Sequence, residues 1–162
     1  MLNEKMQNEF NQRVNDELYA WYLYLSMAAY FEAENLQGFA TWMRKQAAEE
    51  MTHAMKNFNY VLERQGKVTL KPLREVPATF ASPLAAFEEA LKHEQKVTAI
   101  YNKFIEMARE EKDHAAEVFL QWFVNEQVEE EAQTSQVVEI LKKIKDSIGG
   151  LYQLDHRLGK RE

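Results

Sequence analysis

The sequence predicts an all-α fold: a four-helix bundle with one long crossover between helices two and three and a short C-terminal fifth helix. Three observations predict it. Apolar residues recur at alternating steps of three and four along four long stretches, the seam pattern of antiparallel bundle helices. Helix breakers are scarce, with five Gly and three Pro in 162 residues. The one long stretch without a helical period, Lys67 to Ser82, holds Pro72 and Pro77.

The first helix is expected from about Leu2 to Glu34, with the stripe Met6, Phe10, Val14, Glu17, Trp21, Tyr24, Ala28 and Phe31. After a turn over Asn35–Gly38, the second runs from about Gln37 to Gln65 and stops at Gly66, a residue type suited to ending helices. Its stripe is Leu36, Phe39, Met43, Gln46, Glu50, His53, Asn57 and Tyr60, more polar at mid-length than a core helix should be. The crossover can reach roughly 50 Å when extended, more than the ~42 Å of a 28-residue helix. It can therefore run the length of the bundle and start the third helix parallel to the second.

Ser82-Pro83 pairs an N-cap with a proline at the first helical position, so the third helix starts there and reaches about Lys112. Its stripe is Leu84, Phe87, Leu91, Glu94, Thr98, Tyr101, Ile105 and Ala108. Asp113 suits the N-cap of the fourth, which runs to about Ile148 with Ala116, Leu120, Phe123, Gln127, Glu130, Thr134, Val137, Leu141 and Ile144 inward. Gly149-Gly150 is expected to break it. Leu151 to Leu158 is a short fifth helix that must dock to be stable, and the charged end Gly159–Glu162 is expected to fray.

Composition narrows the chemistry. Residues 1–162 are expected to form a single domain with a sizeable core. With no cysteine, disulfides, thiolate metal sites, iron–sulfur clusters and cysteine nucleophiles are excluded. A net charge of −6 argues against nucleic acid and anionic membranes as partners and suits cations. No apolar run is long enough to span a bilayer and the polar N-terminus lacks a signal-peptide core, so a cytoplasmic location is expected.

The stripes carry the functional signal. Each is interrupted at mid-length: Glu17 in the first, Glu50 and His53 in the second, Glu94 in the third, Gln127 and Glu130 in the fourth. Glu17 to Glu50 is 33 residues, as is Glu94 to Gln127; Glu17 to His53 is 36, as is Glu94 to Glu130. An offset of 77 relates the halves and also takes Glu49 to Glu126, Tyr24 to Tyr101 and Phe10 to Phe87. The chain thus reads as two helical hairpins, each offering a Glu from its first helix and a pair at i and i+3 from its second. Four carboxylates, an imidazole and an amide turned inward repel unless cations join them. Oxygen-rich ligands with one nitrogen suit iron or manganese, and zinc or copper would also bind.

Blander readings apply to single residues. One Glu on a seam is usually a helix end or a buried ion pair, but four helices agree here and no lysine or arginine falls on these stripes. Tyr24, two turns after Glu17, can hydrogen-bond a ligand, donate an electron, or simply pack. Trp122 and Met51 read as core or interface, and His93, His114 and His156 as surface. Glu49, Glu126 and Glu129 are candidates for a third, weaker cation site.

At these residues the chain resembles the ferritins, most closely the bacterial non-haem ferritins. The segments that carry the resemblance are Asn15–Ala20, Glu49–Ala54, Glu94 and Glu126–Glu131, and it covers nearly the whole chain. It implies one iron on Glu17, Glu50 and His53, and a second on Glu50, Glu94 and Glu130 with Gln127 nearby. It also implies a third site at Glu49, Glu126, Glu129 and Glu130, with Tyr24 beside the centre. The activity implied is ferroxidase: Fe(II) is oxidised by dioxygen or hydrogen peroxide at a di-iron centre. Iron is then stored as hydrated ferric oxide inside a homo-oligomeric shell of 24 subunits. The fifth helix with Asp155 and His156 would line the four-fold axis, and Asp113 and Glu117 the three-fold pores. Bacterioferritins carry a second Glu-x-x-His where this chain has Gln127-x-x-Glu130, which weakens the second site and makes haem at Met51 unexpected. The alternatives are a rubrerythrin-like di-iron peroxidase or oxidase, and a metal-free structural bundle.

Overall fold

A computed structural model describes residues 1–161. Among them every regular element is an α-helix: α1 (Glu4–Ala33), α2 (Gln37–Glu63), α3 (Pro83–Glu110), α4 (His114–Ile144) and α5 (Ile148–Leu158). Helix α1 packs on α2, α3 on α4, and α5 on α2. The chain divides into two compact units: Met1–Phe80 with the C-terminal stretch from Ile148, and Ala81–Ser147. Each contains one of the two expected hairpins.

Local chemistry explains the helix ends. Asn3, Ser82 and Asp113 accept from the backbone N–H of Met6, Ala85 and Ala116, so α1, α3 and α4 each carry their own N-cap. Helices α1, α2 and α3 all end in the same reversal, with Asn35, Gln65 and Lys112 at φ 57, 58 and 55°. In each the next residue's N–H reaches back five residues: Leu36 to Phe31, Gly66 to Val61 and Asp113 to Ala108. This is the Schellman arrangement, which satisfies the last carbonyls. The expected stop at Gly66 therefore needs restating. Gln65 takes the left-handed conformation, and Gly66 is small because a Cβ there would meet Val61 Cγ1 at 2.9 Å and Gln7 Oε1 at 3.0 Å.

Two other boundaries differ from expectation. Helix α4 ends at Ile144, where Lys145 turns out of it with φ 46°. Gly149 and Gly150 lie inside α5 rather than between helices. The break is set by the backbone of Lys145, and glycine in a first helical turn is tolerated because that turn's N–H groups lack helical partners in any case. The tail beyond α5 is docked rather than frayed: Arg161 bonds Gln46 and Glu49, while Glu162 lies outside the described residues.

In the first unit α1 and α2 are antiparallel, with Phe10 against Tyr60 (ring centroids 4.8 Å apart) and Phe31 stacked on Phe39 (5.0 Å). The expected α2 stripe is buried throughout, and that of α1 is buried except for half-exposed Trp21. In the second unit Tyr101 stacks on Phe123 at 4.6 Å, and Leu84, Leu91, Thr98 and Ile144 are only half-buried. Ala86, Ala90 and Phe104 join the core of α3 instead.

The crossover is extended, as expected, and side chains of α1 hold it. Lys67 N–H donates to Gln7 Oε1 (2.8 Å), Thr69 N–H to Asn11 Oδ1 (2.7 Å) and Lys71 N–H to Asn15 Oδ1 (2.7 Å). Asn11 and Asn15 in turn donate to the carbonyls of Lys67 (2.8 Å) and Thr69 (3.0 Å). The register works because four helical residues rise about 6 Å, close to the ~6.6 Å of two extended ones. Glutamine and asparagine one turn apart thus act as a strand for the linker. Farther on, Ser26 bonds the Pro77 carbonyl and Phe80 meets Tyr30 edge-on at 5.2 Å, so the segment follows α1 nearly end to end.

Candidate metal centre

The first unit brings Glu17, Glu50 and His53 together. All three are buried, and one ligand atom from each lies within 4.8 Å of the others. Glu17 projects from α1, while Glu50 and His53 share a face of α2, one turn apart. His53 Nδ1 is 3.5 Å from Glu50 Oε2. Gln46, one turn earlier and also buried, donates its Nε2 to Glu50 Oε1 at 3.1 Å. Two carboxylates and an imidazole this close in a buried place favour a cation between them, because mutual repulsion and desolvation both penalise the empty ionised set. The donor set of two oxygens and one nitrogen fits a borderline divalent metal such as Fe(II). Tyr24 lies two turns along α1 and is fully buried.

The second unit resolves its own mid-length polar residues differently. Glu94 and Gln127 are both buried, and Gln127 Nε2 donates to Glu94 Oε2 at 3.1 Å and to the Glu94 carbonyl at 3.3 Å. Thr98 donates to Glu131 Oε1 at 2.5 Å beside them. Glu130 is buried, Glu126 half-buried and Glu129 exposed.

Other candidates take other places. Glu49 is half-exposed and is paired with Arg161 (2.5 Å). Trp122 meets Phe123 edge-on at 4.8 Å, Met51 is half-buried, and His114 and His156 are exposed as expected. His93 is half-buried rather than a surface residue. Asp113 caps α4, and Glu117 is tied to Arg109 at 2.6 Å, whose hydrogen bond holds its carboxyl below the usual carboxylate range. Asp155 Oδ1 accepts from the N–H groups of Gly38 (2.8 Å) and Phe39 (3.0 Å). It thereby caps α2, whose own N-cap position holds Leu36.

Two contributors escaped sequence reasoning. Gln46 stood on the α2 stripe as a polar oddity, and its spacing of one turn before Glu50 was the signal that could have found it. Arg161 gave no signal, because its link to Gln46 spans 115 residues.

Comparison with known proteins identifies the family. A family model described as a ferritin-like domain matches residues 7–144. A bacterial non-heme ferritin of Bacteroides fragilis is 40% identical over 161 residues, covering 99% of this chain and 100% of that protein. A Staphylococcus aureus protein of the same description is 36% identical, with 99% and 97% covered. Among solved structures, a novel open pore ferritin from the hyperthermophilic archaeon Archaeoglobus fulgidus superposes with a TM-score of 0.99 at 48% identity, covering 100% of both chains. A humanized archaeal ferritin gives 0.99 at 46%, with 100% of this chain and 98% of that one covered. The expected all-α, ferritin-like fold class therefore holds, and the chain belongs to the ferritin family.

Proposed function

We propose that the chain is an iron-storage ferroxidase in which Fe(II) is captured and oxidised at Glu17, Glu50 and His53. The observation that carries this reading is the convergence of those three buried ligand atoms within 4.8 Å. Fe(II) is here a substrate. Two Fe(II) ions give up two electrons, and dioxygen takes them with two protons to become hydrogen peroxide, or hydrogen peroxide takes them with two protons to become two water molecules. The protein supplies ligand charge, a fixed geometry and a dry surrounding for that transfer.

The resemblance to ferritins supports a second iron on Glu50, Glu94 and Glu130 with Gln127, and a third site drawing on Glu49, Glu126, Glu129 and Glu130. The amide of Gln127 is a weaker ligand than a carboxylate or imidazole, so iron at the second place is held loosely and passes on. Fe(III) then mineralises as hydrated ferric oxide inside a homo-oligomeric shell of 24 subunits. Residues 1–162 act as one domain in that subunit. A cytoplasmic protein fits this role, and among the described residues no helix is long and apolar enough to cross a membrane.

One experiment tests the reading. Apo-protein receives Fe(II) in air at tens to hundreds of equivalents per subunit, and the product is sized. Storage predicts a soluble, iron-loaded particle of shell size. Saturation at two or three irons per subunit on a small oligomer would point to a rubrerythrin-like oxidase, and no uptake to a metal-free bundle.

A further inference from the structure

The C-terminal tail reaches the candidate metal centre through one amide. Arg161 follows α5, and its Nη1 donates to Gln46 Oε1 at 2.9 Å. Gln46 is fully buried, and its Nε2 donates to Glu50 Oε1 at 3.1 Å. The guanidinium is seated by two further contacts: Nη2 on Glu49 Oε2 at 2.5 Å, and Cζ at 4.5 Å from the centroid of the Trp42 ring. Stacking and bidentate use suit arginine better than lysine.

A guanidinium has donors and no acceptor, so it bonds only the oxygen of the Gln46 amide. That choice fixes the amide's sense. With its oxygen turned to Arg161, its NH2 group faces Glu50. The reversed amide would set a carbonyl oxygen against the Glu50 carboxylate and an NH2 against the guanidinium, two buried repulsions in place of two bonds. We propose that Arg161 is a positioning residue for the Fe(II) site: through Gln46 it holds the Glu50 carboxylate in the orientation that places it beside Glu17 and His53. The inference rests on the reading of those three residues as the iron site.

The alternative, that Arg161 acts on the site only as a charge, has the opposite sign. A nearby positive charge repels an incoming cation, so its removal would raise metal affinity. Loss of an outer-shell orienting bond lowers it, by roughly tenfold or more. The test is anaerobic titration with Co(II), read by the ligand-field absorption bands and by calorimetry, in the full-length protein.

Glu50→Ala serves as the site control and is expected to abolish the bands. Arg161→Ala and Gln46→Leu are each expected to weaken Co(II) binding roughly tenfold. The double variant should be no worse than the weaker single one, because both cut the same chain of bonds. Arg161→Lys, which keeps a donor-only head group but loses the bidentate and stacked geometry, should recover only part of the loss. Arg161 lies outside the helices, and helical ellipticity checks that each variant keeps its fold. Unchanged or higher affinity in Arg161→Ala, or losses that multiply in the double variant, would overturn the relay alone. Equal Co(II) binding by wild type and Glu50→Ala would overturn the site reading and the relay with it.

Discussion

The two hairpins answer one problem, polar groups buried at mid-length, in two ways. In α1–α2 the groups are Glu17, Glu50 and His53, three ligands gathered around one point. In α3–α4 the corresponding places hold Glu94, Gln127 and Glu130, and the Gln127 amide already donates to Glu94. The first arrangement could hold a cation, whereas the second satisfies part of itself. An amide NH2 is a donor and cannot ligate a metal, so iron reaching that half must compete with an existing hydrogen bond. On the proposed reading, the histidine-bearing half serves capture and the histidine-free half release.

The largest effect should come from removing the capturing half. Glu50→Ala with His53→Ala is expected to reduce Fe(II) affinity at this site by at least about 100-fold, since it deletes ligands rather than their supports. Stopped-flow oxidation and anaerobic Fe(II) titration check it. Gln127→Leu should cost far less; equal losses would erase the distinction between the halves. The converse change, Gln127→Glu with Glu130→His, gives the second half a Glu-x-x-His pair. It is expected to retain iron against a chelator about tenfold longer and to slow mineral growth, measured by iron release after a single loading.

The halves also differ in support, because only the first carries α5. Gly38 lies against that helix, and a Cβ there would fall 1.7 Å from the Asp155 carbonyl oxygen. Gly38→Ala should therefore push α5 away and destabilise the first hairpin by about 3 kcal/mol. Asp155→Ala, which removes only the cap on Gly38 and Phe39, should cost about 1 kcal/mol. Thermal unfolding with segment-resolved hydrogen exchange checks both, with protection in α3–α4 expected to change less. A similar comparison applies to the crossover. Asn15→Ala deletes its bonds to Thr69 and Lys71, at about 1 kcal/mol each. Faster proteolysis around residues 67–77 and a lower urea midpoint would report it.

The smallest effect belongs to the second hairpin. The Arg109 hydrogen bond, ahead of the other influences, lowers the Glu117 carboxyl below its ordinary value of 4.5. A carboxyl lowered in the folded state adds stability that is present above about that value and is lost as pH falls through the lowered one. Comparing wild type with Glu117→Gln should therefore show a small, constant difference above pH 4.5 that shrinks in more acidic buffer. A difference that grew on acidification would contradict the assignment.

Much was legible in the sequence because it depends on spacing along single helices. The 3–4 period placed Glu50 and His53 on one buried face, and the offset of 77 identified the hairpins before any contact was known. The caps at Ser82 and Asp113 were also local, a side chain serving a backbone three residues on. What the tertiary structure decided were partners far apart in the chain. Gly66 looked like the left-handed stop of α2, yet Gln65 takes that conformation and Gly66 makes room for Gln7 and Val61. Asn11 and Asn15 bind the crossover 54 to 58 residues away, a pairing that no local pattern announces. The charged tail looked like a loose end, yet Arg161 finds Trp42, Gln46 and Glu49 more than a hundred residues back. The sequence by itself determined the helices and which polar residues lie on their buried stripes, since periodicity and local caps are written in neighbouring residues. Only the fold decided how each of those side chains is held, since an orienting hydrogen bond depends on which distant group arrives beside it.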